Sequence, residues 1–135
     1  MENNKTNPEK PWGISLNTFC LLMHLSILFF FPLSLIMWVK NKDNNEVIDS
    51  HGKNVVNFLI SYSIYIMAGL YFMFIWFVSS YFLPQHDDLL MIFVLIGFGI
   101  WLIVEALFVI FTIIAAIKAG KGEIYKYPLT IEIIK

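Results

Sequence analysis

The chain has 135 residues, of which 59% are hydrophobic and only 14% are charged, whereas soluble domains carry about a quarter charged residues. This composition excludes an ordinary water-soluble domain. It predicts an integral membrane protein that is embedded in the lipid bilayer and has the bilayer as its partner. The net charge is −1 and the nine basic residues are all lysines, so nucleic-acid binding is not expected. The single cysteine, Cys20, excludes an internal disulfide and a CxxC-type metal or redox motif.

The first long apolar segment begins after a polar lead, residues 1–11, which is predicted to be disordered. Residues 12–39 carry no charge and exceed the apolar core of a signal peptide, which indicates a retained span. As one helix they would extend about 42 Å, against a hydrocarbon core of about 30 Å. A kink at Pro32 would absorb part of this excess. A hairpin at Pro32, which would return the chain to the same side, remains an alternative.

A polar connection, residues 40–50, precedes the second span and offers Asn45, Asp49 or Ser50 as a helix N-cap. Apolar residues then recur at steps of three and four, which predicts an amphipathic start to the second helix. The span itself covers about residues 55–83.

The third span covers about residues 89–117, after Pro84 and a polar turn. Gly120 and Gly122 are predicted to end its helix. The tail that completes the chain, residues 118–135, alternates polar and apolar positions, which favours an extended segment at the membrane surface.

These elements predict an all-α integral membrane protein with one membrane domain, residues 12–135. Its architecture is a bundle of three transmembrane helices with an amphipathic start to the second and a short extended C-terminal tail. With three spans, residues 40–53 and the tail share one face and carry seven lysines, whereas the other face has Lys5 and Lys10. Because basic loops stay in the cytoplasm, the N-terminus is predicted outside the cell (plasma) membrane and the C-terminus in the cytoplasm.

Two ionisable residues lie inside the predicted spans and form a candidate polar pair. Glu105 is near the centre of the third span, where a carboxyl group is costly and therefore marks a candidate functional site. His24 lies in the first span, at a depth that differs by only about 5–6 Å if both spans are straight and run in the same direction. Two interpretations stay open: a pair that holds two helices in register, and an element of a proton relay.

Sequence motifs for catalysis and for cofactor binding are missing from the chain. It contains no HExxH motif, Gly-rich phosphate loop or acidic metal cluster, so no catalytic residue, cofactor or metal site is expected. The polar segments are also too short to build a substrate pocket of about 300 Å³ or more. The protein is therefore not expected to be an enzyme.

Three stretches in order carry a resemblance to a known family: His24-Leu25-Ser26, the HGKxxxNF element at residues 51–58, and the GExYxYPL element at residues 122–129. In them the chain resembles the DUF4870 family of small bacterial membrane proteins, which is grouped with the Tic20-like proteins. The resemblance implies a compact helical bundle with both elements in the cytoplasm, and it implies no settled activity. Glu105 is not part of the family pattern.

The leading functional hypothesis is a non-enzymatic interaction or accessory subunit of a membrane complex, which binds copies of itself or a larger assembly. Its docking surface would combine the two polar elements on the cytoplasmic face. The predicted docking residues are His51, Gly52, Lys53, Asn57, Tyr125, Tyr127 and Pro128. The alternatives are a proton-linked or oligomeric transport or conductance protein, and an immunity factor against a membrane-active peptide.

Overall fold

The computed structural model describes residues 10–82 and 87–135, apart from the side chains of residues 87–90. The predicted disordered lead therefore lies almost wholly outside the described residues, as does the turn at Pro84. Within the described chain every regular element is helical.

A short 3-10 turn at Pro11–Gly13 precedes three α-helices. They are α1 (Leu16–Asn41), α2 (Glu46–Phe82) and α3 (Asp87–Gly120). All three are long and apolar enough to cross a membrane. This confirms the predicted all-α membrane fold and places the protein in a membrane.

The start of α2 and the end of α3 follow local capping chemistry. Asn45, one of the predicted caps, accepts hydrogen bonds with its side-chain oxygen from the N–H groups of Val47 and Ile48, at 2.9 and 3.4 Å. At the end of α3 the N–H of Glu123 donates to the carbonyl of Lys118 at 3.0 Å. Gly122 makes this turn possible because its φ of +81° lies in the left-handed region.

Helix α1 is interrupted at Phe30, whose φ of −158° and ψ of 83° are extended rather than helical. The cause is Pro32, which has no N–H to donate and whose ring would clash with the carbonyl of Leu28 in a continuous helix. Proline is well tolerated in a first helical turn, so the helix restarts after Phe30. The result is two arms, residues 16–29 and residues 31–41.

Both arms pack at the same end of the α2–α3 pair. They share one hydrophobic cluster, formed by Phe19, Cys20, Met23, Met37, Ile48 and Ala119. The first arm reaches the end of α3, where a Cβ on Gly122 would lie 3.4 Å from Nδ2 of Asn17. The second arm reaches the start of α2, where Nε1 of Trp38 donates to Oδ1 of Asp49 at 2.9 Å. Both ends of α1 therefore lie beside the start of α2 and the end of α3.

The burial pattern divides the described chain into two parts. The head, residues 10–62 and 112–135, contains every buried side chain. The distal hairpin, residues 63–82 and 91–111, contains none. Packing against protein therefore orders the head, whereas the two helices of the distal hairpin present their side chains to the bilayer.

Candidate functional site

The centre of the head is a buried network of His24, His51 and Tyr127, one each from α1, α2 and the tail. Nδ1 of His24 lies 2.7 Å from the hydroxyl oxygen of Tyr127, and its Nε2 lies 2.9 Å from Nδ1 of His51. Each of the three residues is at most 5% exposed. The network therefore joins three segments that are far apart in sequence through two buried hydrogen bonds.

An aromatic stack supports the tyrosine of this network. The rings of Phe58 and Tyr127 are nearly parallel, with centroids 4.0 Å apart. On its other side Phe58 stacks on Phe108 of α3 at 5.1 Å. Stacked rings add specific attraction to the area that they bury, so Tyr127 fastens the tail to all three helices.

The geometry restricts where the protons of the network sit. Only one N–H fits between the two imidazole nitrogens that lie 2.9 Å apart, so one ring donates and the other accepts. When His24 accepts from Tyr127 it donates to His51, and the reverse arrangement turns both bonds around. An extra proton would charge a fully buried ring, which is unfavourable. The network is therefore described by these two neutral arrangements.

Burial raises the pKa of Tyr127 well above its ordinary range, and the neighbouring Tyr125 adds to this shift. The neutral phenol therefore contributes stability below about pH 10, the ordinary tyrosine pKa, and loses it as the pH rises further. We expect an absorbance titration of the phenolate in detergent to show a late step, above the ordinary tyrosine range, that coincides with loss of tail packing. Burial also raises the pKa of Tyr125, so the Tyr127→Phe variant should reduce the amplitude of the late step by one phenolate rather than abolish it. A late step of unchanged amplitude in Tyr127→Phe would contradict the assignment.

A polar stripe on α2 holds the tail, and it consists of Asn54, Asn57, Ser61 and Tyr65. Asn57 makes three of the bonds: its Oδ1 accepts from the N–H groups of Ile133 and Ile134, and its Nδ2 donates to the carbonyl of Ile134, at 2.8–3.0 Å. Ser61 accepts from the N–H of Ile131 at 2.8 Å. These side chains take up backbone groups that an extended segment leaves unpaired.

The tail turns back on itself at its farthest point along α2. The hydroxyl of Tyr65 donates to the carbonyl of Leu129 at 2.6 Å, and Leu129 adopts a φ of +61° in the turn. An ion pair of 2.8 Å between Lys126 and Glu132 connects the outgoing and returning arms, and Lys126 lowers the pKa of Glu132. The tail is thus a short hairpin seated on α2.

The HGK element at the start of α2 packs against the second arm of α1. Gly52 is buried, and the indole ring of Trp38 occupies the space where a Cβ would stand. One turn earlier Asp49 accepts the hydrogen bond from Trp38 and pairs with Lys53 at 2.6 Å. The glycine is required here because it lets the ring approach the helix backbone.

The structure divides the predicted docking residues into an internal and an outer group. His51, Gly52, Asn57 and Tyr127 are buried in contacts within the chain. Lys53, Tyr125 and Pro128 retain part of their surface. The two polar elements do meet in space, since Nδ2 of Asn54 donates to the carbonyl of Tyr125 at 3.2 Å. A docking role for the outer group remains a prediction.

The structure does not bring the candidate polar pair together. Both ring nitrogens of His24 are engaged by Tyr127 and His51, whereas Glu105 lies beside Tyr62 of α2. The physical reason is the break at Phe30, which removes the straight first helix on which the expected depth match depended. A functional role for Glu105 remains untested.

Sequence reasoning missed the partners of His24 and the polar stripe on α2. The stripe had a readable signal, because positions 54, 57, 61 and 65 follow steps of three and four and therefore share one helix face. The His24–His51 contact had no such signal, since it depends on how the first arm of α1 folds against α2.

Comparison with known families identifies the chain. A family model, MamF_MmsF, described as the magnetosome magnetite crystal formation protein family, matches residues 9–134. The chain belongs to this family. The match covers the head and the distal hairpin alike. No curated protein and no solved structure matches the chain.

This result corrects the family expected from the sequence. The assignment to the DUF4870 and Tic20-like proteins is wrong, because the family that matches is the magnetosome magnetite crystal formation family. The HGKxxxNF and GExYxYPL elements on which that assignment was based form the α2 and tail parts of the head. Their residues maintain the fold, so these elements do not by themselves indicate a function.

Proposed function

We propose that the protein is a non-enzymatic accessory subunit of a bacterial membrane complex, and that it takes part in the crystal formation named in its family's description. The observation that carries the first part is the closed interior of the head. Its central polar side chains, His24, His51 and Asn57, bond to other groups of the same chain. Such an interior stabilises one shape of the head.

The cavities of the head support a role without catalysis. An apolar cavity between α2, α3 and the tail, lined among others by Tyr62, Phe108 and Leu129, has a volume of about 60 Å³. Ligand pockets usually have about 300–1,000 Å³. Among the described residues no group of three or more His, Cys, Asp or Glu side chains could hold a metal ion. A wider, open groove of about 440 Å³ lies between the helices of the distal hairpin, lined among others by Trp76 and Met91. A binding function of the head therefore has to use its outer surface.

The outer surface offers two kinds of contact to a partner. On the head, Lys53, Tyr125 and Pro128 lie at the junction of α2 and the tail. In the membrane, the distal hairpin exposes apolar side chains along its whole length. The proposal is that a partner chain, or another copy of the protein, binds at the head junction while the distal hairpin fixes the protein in the bilayer.

Native mass spectrometry after purification in lipid nanodiscs tests the accessory role. We expect a discrete partner or a fixed homo-oligomer that is lost in a Lys53→Ala, Tyr125→Ala double variant. Leu129→Ala, which changes an exposed residue at the turn of the tail, serves as the control and should retain the partner. A lone monomer under mild conditions would refute the accessory role.

The part of the proposal that concerns crystals has a separate test. Expression in a magnetite-forming bacterium that lacks its own member of the family should restore the size and number of its crystals. An inserted, correctly folded protein that leaves the crystals unchanged would refute this part and leave the accessory role intact.

A further inference from the structure

We propose that α1 enters and leaves the bilayer on one side, as a wedge in the cytoplasmic leaflet, and that the protein thereby binds preferentially to convex membrane surfaces. The proposal goes beyond the accessory role and does not depend on it. The partner is the lipid bilayer itself, and the part of the protein that contacts it is the head with the two arms of α1.

The lengths of the two arms fit a single leaflet. Residues 16–29 extend about 21 Å and residues 31–41 about 16 Å, whereas the hydrocarbon core is about 30 Å thick. Neither arm can cross alone. Because both ends of α1 pack beside the start of α2 and the end of α3, the chain has to return to the side from which it entered.

The bend between the arms is apolar and uncovered. Phe29, Phe30 and Phe31 are 86, 59 and 55% exposed. Three adjacent phenylalanines at the tip of a hairpin would be unfavourable in water. Acyl chains can cover them without desolvating any polar side-chain group. The tip therefore lies in the hydrocarbon of the leaflet that α1 enters.

The lysines of the chain lie at the end of the head that is farthest from the phenylalanine tip. Lys10 precedes α1, Lys40 lies in its last turn, and Lys118 lies at the end of α3 beside the first arm. The residues from Asp87 to Lys118 extend about 47 Å as a helix, close to the full bilayer thickness of about 40–45 Å. With α1 re-entrant, all described lysines lie at the head end. The positive-inside rule then places the lysine-bearing end of the head, and with it both ends of the described chain, on the cytoplasmic side of the membrane.

The cross-section of the protein differs between the two leaflets. In the head layer the two arms of α1, the helices α2 and α3, and the tail lie side by side. In the other layer the described chain contributes only the two helices of the distal hairpin. Extra volume in one leaflet is accommodated best where that leaflet is stretched, which is the convex side of a curved membrane.

Cysteine labelling tests the topology. In a Cys20→Ala background, Lys10→Cys, Lys121→Cys and Phe82→Cys variants are treated with a membrane-impermeant maleimide in sealed vesicles. We expect the first two to react from the same side and Phe82→Cys, at the exposed end of α2, from the other. Reaction of Lys10→Cys and Lys121→Cys from opposite sides would overturn the proposal.

Sorting between vesicles tests the preference for curvature. Protein reconstituted into a mixture of small, highly curved and large, nearly flat vesicles of one phospholipid should be several-fold denser in the small ones, with Lys121→Cys exposed outside. Replacing Phe29, Phe30 and Phe31 by alanine shrinks the wedge and should reduce this enrichment. The matched control replaces Phe72, Phe74 and Phe77 of the distal hairpin by alanine and should retain it. Equal density in both vesicle sizes, or equal loss in both triple variants, would overturn the proposal.

Discussion

Replacing Asn57 by alanine should release the C-terminal tail from α2. The side chain is 3% exposed and makes three hydrogen bonds to the backbone of Ile133 and Ile134. Its removal leaves two N–H groups and one carbonyl without these partners at a packed surface, which we expect to cost about 2–3 kcal/mol. Hydrogen exchange of the amides of residues 130–134 in detergent should accelerate sharply, and carboxypeptidase should shorten the chain.

Two further variants make this prediction specific. Asn57→Asp keeps an oxygen for the two N–H groups and loses only the donor to Ile134, so its tail exchange should be intermediate. Ser63→Ala is the matched control, because this exposed hydroxyl bonds only to the carbonyl of Leu59 in its own helix. Tail exchange that is unchanged in Asn57→Ala, or equally fast in Ser63→Ala, would contradict the role assigned to the stripe.

The helical elements were predictable because their causes are local. Apolar stretches of spanning length, the cap at Asn45 and the glycines that end α3 are all read from neighbouring residues, and each occurs in the structure. Pro32 also indicated a kink, and the break occurs two residues earlier at Phe30. Local chemistry thus predicted where the helices begin, break and end.

The candidate site was less predictable because it depends on the path of the chain after the kink. A straight first helix would place His24 beside the middle of α3, which is how it came to be paired with Glu105. Because the second arm of α1 folds back, α1 begins and ends at the same end of the molecule, and His24 contacts His51 and Tyr127 instead. The direction after a kink is decided by packing between distant segments, such as Trp38 against Gly52, and no periodicity in the sequence reports it.

The same packing decides what the HGK and YPL elements do. HGK supplies a histidine for the network, a glycine for the approach of Trp38, and a lysine that pairs with Asp49. The tyrosine of the YPL element closes the network from the tail. Both motifs therefore fix α1 and the tail on α2, and any function that needs the shape of the head depends on them.

Replacing Gly52 by alanine should separate the second arm of α1 from α2. The added Cβ would overlap the indole ring of Trp38, which cannot move without loss of its hydrogen bond to Asp49. Overpacking of this kind costs about 1–3 kcal/mol, although alanine is by itself the better helix former. The midpoint of denaturant unfolding in detergent should therefore fall.

Gly69→Ala provides the control for this substitution within the same helix. Nothing lies within 4 Å of a Cβ at Gly69, so the gain in helix propensity of about 0.5–1 kcal/mol is the whole effect. The two variants should thus shift the unfolding midpoint in opposite directions although their chemistry is identical. In a Trp38→Ala background the overlapping ring is absent, so adding Gly52→Ala should no longer destabilise the protein. If Gly52→Ala were as stable as Gly69→Ala, the arm would not be held by this contact.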